Sequence, residues 1–135
     1  PVAIGYEDRL VALATAVAGR CAIVAVNPND ATTHPADSFA AMVVRGKEKA
    51  FPFPYLRDET QALARALGAQ CTPDPFLFDR ARRLVYAGRI DDSPRDAKNV
   101  TRRELLEAIE ATLLGRAIDF EPRPAVGCSI KWKRT

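Results

Sequence analysis

The chain has 135 residues, 20 Lys and Arg against 17 Asp and Glu for a formal net charge of +3, and 47% hydrophobic residues, which suits one domain around a single core. Its apolar runs stop far short of the ~20 residues that span a bilayer, and no basic segment leads into a long apolar one, so no membrane association is expected and a cytoplasmic setting is. Basic residues fall in small scattered groups, Arg80-Arg82-Arg83, Arg102-Arg103 and Lys131-Lys133-Arg134, without the concentrated face that nucleic-acid binding demands.

Residues 2–18 read as an amphipathic helix, because Tyr6, Leu10, Leu13 and Val17 recur at helical spacing. Pro1 suits a first helical turn, and Gly19 suits a left-handed stop. The run Cys21–Val26 is apolar without interruption, the pattern of a central parallel strand covered on both faces. Asn27 to Pro35 follows as a loop placed where functional loops of α/β folds lie. Ser38 caps a second helix to about Lys49, with Phe39 and Met42 or Val43 inward.

Prolines hold Phe51-Pro52-Phe53-Pro54-Tyr55-Leu56 extended, with a short strand near Tyr55. Asp58-Glu59-Thr60-Gln61 has the form of a capping box, opening a third helix that buries Leu63 and Leu67 and ends at Gly68. Phe76-Leu77-Phe78 and Leu84-Val85-Tyr86 flank the polar bend 79–83, which predicts an antiparallel hairpin. Ile90 to Val100 reads as a charged loop in which Asp91-Asp92 is a solvated turn. A second capping box, Thr101-Arg102-Arg103-Glu104, launches a last helix with Leu106, Ile109 and Leu113 inward and Gly115 beyond its end. The rest, 116–135, is expected to be an extended tail after a domain at 1–115.

Three cysteines, Cys21, Cys71 and Cys128, are too far apart for a Cys-x-x-Cys motif. Neither a zinc site nor a two-cysteine redox motif is written in the chain, and reduced, partly reactive thiols are expected. Cys21 reads as core within its apolar run. Cys71 is either a thiol in a functional loop or a small buried hydrophobe, and Cys128 either a resolving thiol or an incidental one. His34, the only histidine, reads as an exposed loop residue. No cofactor or metal is implied.

The order helix, strand, helix, strand, helix, hairpin, helix is α/β material. Thr72-Pro73 leading into a hairpin resembles the substrate-binding proline loop of thioredoxin-like proteins. Together with Phe51–Leu56, CTPDPFLFD at 71–79, LVYAGRIDD at 84–92 and Gly127-Cys128-Ser129-Ile130-Lys131-Trp132, the chain is similar to the peroxiredoxin-like (redoxin) branch of that superfamily. The resemblance implies an α/β thioredoxin-like fold, a central mixed sheet with helices on both faces and a C-terminal antiparallel hairpin. It also implies an opening strand that this sequence does not contain.

In that branch the redox cysteine precedes a proline at the start of the first helix, where the helix dipole stabilises a thiolate. The matching proline here is Pro1, so the expected nucleophile falls outside this sequence. The resemblance implies thiol–disulfide oxidoreductase or antioxidant chemistry. Cys71 and Cys128 would be its thiols, Thr72 and Pro73 its substrate-binding residues, and the Thr72–Pro73 bond would be cis. The absence of a Thr-x-x-Cys pattern argues against strong peroxidase activity. The partners implied are a thiol or disulfide protein or a peroxide, and the chain could pair as a homodimer. The alternative is a non-catalytic module that holds extended peptides in the proline loop.

Overall fold

Glycines and capping side chains set most of the helix boundaries. The structure, a computed structural model, describes residues 2–134; the role expected of Pro1 at a first helical turn lies outside them. In chain order the elements are α1 (Val2–Ala16), β1 (Ala25–Asn27), α2 (Phe39–Glu48), β2 (Tyr55–Arg57), α3 (Ala62–Leu67), β3 (Cys71–Thr72), β4 (Phe76–Phe78), β5 (Leu84–Ala87), α4 (Glu104–Leu113) and β6 (Cys128–Ser129). This is a mixed α/β chain. Its described strands pair off as β1 with β2, β3 with β6 and β4 with β5, rather than joining one central sheet.

The chain gathers into two compact units, residues 2–9 with 71–128 and residues 10–70 with 129–134. In the second, β1 and β2 run parallel with Val26 opposite Leu56. The strand covers only the end of the apolar run. Burial alternates along it, with Val24 51% exposed, so Cys21–Val26 is not covered on both faces as its unbroken apolarity predicts. Ser38 caps α2 as expected, its hydroxyl accepting from the Ala41 amide at 3.2 Å. Met42 is buried whereas Phe39 and Val43 are exposed.

Helix α3 departs from a capping box. Asp58 does cap it, its carboxylate accepting from the Ala64 amide at 2.8 Å. Gln61, however, stands at φ 65° ahead of the first turn and turns its amide into the core. That amide donates to the carbonyls of Pro28 (2.7 Å) and Lys131 (3.0 Å) and accepts from the Lys133 amide (3.0 Å). On this helix Ala64 is buried, Leu67 is half-buried and Leu63 is exposed.

In the first unit, β4 and β5 form the predicted antiparallel hairpin, with Leu77 opposite Tyr86 and an irregularity at Leu77/Phe78. Tyr6, Leu77, Tyr86, Ile90, Leu105, Ala108 and Ile109 are buried there. The capping box expected at α4 does not form. Thr101 bonds to the Asp92 carboxylate through its amide (2.8 Å) and its hydroxyl, and Glu104 is buried against Arg89. Leu105, Ala108 and Ile109 consequently face inward, while Leu113 is exposed. Among the described residues no helix is long and apolar enough to cross a membrane.

Candidate functional site: a proline loop under a passing backbone

The hairpin is entered through β3 and the loop that follows it. Cys71 and Thr72 form a two-residue strand, and the Thr72–Pro73 bond is cis, the geometry that the resemblance implies. Proline cannot donate to a sheet ladder, which ends the strand at Thr72.

The tail passes the residues just beyond β5 and then reaches this edge. Arg123 accepts a hydrogen bond from the Arg89 amide at 2.9 Å. It passes so close to Gly88 that a Cβ there would stand 2.8 Å from the Arg123 carbonyl oxygen. Ala125 brings its carbonyl to 3.8 Å from the Cys71 sulfur. Gly127 then crosses Thr72, where an added Cβ would sit 2.2 Å from the Thr72 carbonyl oxygen and 3.1 Å from the Pro73 nitrogen. Only a residue without a side chain fits. Cys128 opens β6, the strand paired with β3.

All three cysteines are free and half-buried. The Cys71 sulfur faces two carbonyls, Pro73 at 3.7 Å and Ala125 at 3.8 Å, which suit a thiol and oppose a thiolate. Burial, followed by the nearby charges of Asp74 and Cys128, pushes its pKa up. The four residues expected at the site, Cys71, Thr72, Pro73 and Cys128, therefore lie in one short patch. Burial also pushes the Cys21 thiol up, but that residue sits in a bend before β1 and is half-buried rather than core. His34 is exposed, its Nδ1 2.8 Å from the Thr33 hydroxyl. No group of His, Cys, Asp and Glu among the described residues could hold a metal ion.

The same unit holds a polar cluster that sequence reasoning missed. Asp91 is not a solvated turn residue but is buried at 3% exposure. It accepts from the Tyr6 hydroxyl at 3.0 Å, from Arg9 at 2.9 and 3.1 Å, and from the Ser93 amide at 3.0 Å. The Arg9 guanidinium also lies 4.1 Å from the Tyr6 ring centroid and donates to the Ser93 carbonyl at 2.7 Å. The available signal was Arg9 three residues after a core Tyr6, on the same helical stripe.

In the other unit, the loop expected to be functional is tied into the fold. Asn27 bonds to Asp37 (3.0 Å), and Arg57 bonds to the carbonyls of Asp37 and Asn29 (2.8 Å each). A hollow of about 220 Å³ beside it is lined by groups that include Asp30, Arg57, Glu59 and Lys133. Asp30 is already engaged by Thr32, through its amide (3.0 Å) and hydroxyl (2.7 Å).

No family model and no curated protein matches the chain. Among solved structures it is similar over its whole length to a hypothetical protein of Sinorhizobium meliloti 1021, at 40% identity and a TM-score of 0.94, covering 75% of that chain. An uncharacterized conserved protein of Geobacillus kaustophilus matches over 98% of this chain and 71% of its own, at 41% identity and a TM-score of 0.92. Identity at this level across most of both partners is that of common descent, and the chain belongs to the family of these two proteins.

Proposed function

We propose that the chain is a thioredoxin-like domain of the peroxiredoxin-like type, a thiol–disulfide oxidoreductase whose Cys71-Thr72-Pro73 edge receives an extended polypeptide. The observation that carries this reading is the passage of Gly127 over Thr72. The edge already accommodates an extended backbone, with two free thiols beside it. Main-chain contacts of this kind bind extended segments without demanding a particular sequence at every position.

The chemistry is exchange. A thiolate attacks one sulfur of a disulfide, a new S–S bond forms, and the old one breaks to release the leaving thiolate with its electron pair. With a peroxide, the thiolate instead attacks one oxygen, the O–O bond breaks with its electron pair on the other oxygen, which leaves protonated as an alcohol or water, and the sulfur becomes a sulfenic acid. A second thiol then condenses with that sulfenic acid and expels water. Cys71, with its raised pKa, is mostly protonated near neutral pH and suits the second role better than the first. That same raised pKa favours one other reading, a binding module that holds extended segments and performs no exchange.

A short extended peptide bearing a mixed disulfide with thionitrobenzoate separates the two. The oxidoreductase reading expects one adduct per chain at Cys71 or Cys128, equimolar release of thionitrobenzoate, and Cys21 spared. The binding reading expects saturable binding with no release. Peptide that neither binds nor reacts, or that labels Cys21 equally, removes both.

A further inference from the structure

Resting on the docking role proposed above, we propose that residues 121–128 are a built-in occupant of the Cys71–Pro73 edge. The ligand class that the edge takes in trans is then an extended segment with glycine where the backbone crosses Thr72. Four observations converge on this. The Arg123 carbonyl first ties the segment to the Arg89 amide just beyond β5, and the segment then meets the edge itself, with the Ala125 carbonyl near the Cys71 sulfur and Cys128 in the strand paired with β3. Gly127 crosses Thr72 with no room for a Cβ, which sets the glycine requirement. Pro122 and Pro124 lack amide hydrogens and favour extended backbone at the residues before them. Finally, no residue from Arg116 to Cys128 is fully buried.

That last point makes the segment separable. An aromatic contact lies just before it, where Phe120 meets Tyr86 at 6.0 Å between ring centroids and Arg102 lies 4.9 Å from the Phe120 ring. Beyond this anchor, backbone contacts rather than apolar burial hold the strap. Because it is tethered, its effective concentration at the edge is on the order of millimolar. A free peptide of similar intrinsic affinity competes poorly until the strap is weakened.

The test uses the full chain and a fluorescein-labelled peptide of residues 121–130 carrying Cys128→Ser, with binding read by anisotropy and strap protection by hydrogen exchange. In Gly127→Ala, the strap should exchange freely and the peptide should bind at least about tenfold tighter than to the unaltered protein. A peptide with alanine in place of its glycine should bind neither protein. If the strap stays protected in Gly127→Ala and peptide binding is unchanged, the strap inference is overturned while any binding to the unaltered protein upholds the docking role. A freed strap with no peptide bound sinks the docking role and the inference with it. Should Gly127→Ala not fold, excess peptide on the unaltered protein must speed exchange over 123–128, and unchanged protection overturns the inference.

Discussion

Asp91 and Asp92 are adjacent and chemically identical, yet their surroundings assign them different work. Asp91 joins Tyr6 and Arg9 in a cluster where the Arg9 and Asp91 side chains are 15% and 4% exposed. Removing one partner of such a pair strands the other charge, at a cost of ~3–5 kcal/mol. Asp91→Ala should therefore destabilise by about that much in urea melts, whereas Tyr6→Phe, which deletes one hydrogen bond, should cost ~0.5–1.5 kcal/mol. Comparable losses for the two variants would contradict the cluster. Asp92 is held at about 2, first by the Thr101 hydroxyl and then by the Thr101 and Arg102 amides. Its folded value lies below the unfolded value of ~3.9, so its contribution is present above pH ~4 and lost as pH falls toward 2. Asp92→Asn should flatten acid destabilisation in that window, measured by thermal melts.

Tyr86 has the opposite sign. Burial first, and the Glu104 charge second, push its pKa up to about 12. The folded state favours the neutral phenol, so this contribution is full below pH ~10 and disappears as pH rises through 12. Tyr6, raised by burial and by Asp91, acts in the same direction. Tyr86→Phe should consequently remove part of the alkaline destabilisation, and an unchanged melting profile between pH ~9 and ~12 would speak against the assignment.

At the scale of elements, the sequence was most legible where a boundary depends on one residue. Gly68 and Gly115 stand at φ 70° and 68° beyond their helices, Ser38 caps α2, and the hairpin pairs as its two apolar runs around a polar bend predict. Capping boxes were misleading because their residues had longer-range partners. Gln61 and Glu104 both turn into the core, toward Pro28, Lys131 and Lys133 in one case and Arg89 in the other. A local pattern cannot announce a partner 70 residues away. Gln61→Ala leaves two carbonyls and an amide unanswered and should cost at least ~2 kcal/mol by urea denaturation. A loss of a few tenths would mean that the helix needs no such anchor.

At the scale of the whole molecule, the α/β character and the Cys71–Pro73 patch could be read from the chain, because proline, hairpin and cysteine positions are short-range signals. The tail's course could not. From Arg116 to Cys128 it carries no periodic apolar face, and backbone groups and a glycine hold it, which leave almost no trace in side-chain pattern. The Cys21–Val26 run misled for the converse reason. Apolar residues are consistent with cover on two faces but do not enforce it, and Val24 is exposed.

The central claim is that the edge at Thr72 receives an extended polypeptide. The most direct measurement is a titration of the isotopically labelled protein with the glycine-bearing 121–130 peptide, followed through its amide NMR shifts. The account predicts saturable shifts at Cys71, Thr72, Gly88 and Gly127, with Ala25 and Gln61 unmoved. Saturable shifts confined to Ala25, Gln61 and their neighbours, or none anywhere at millimolar peptide, would contradict it.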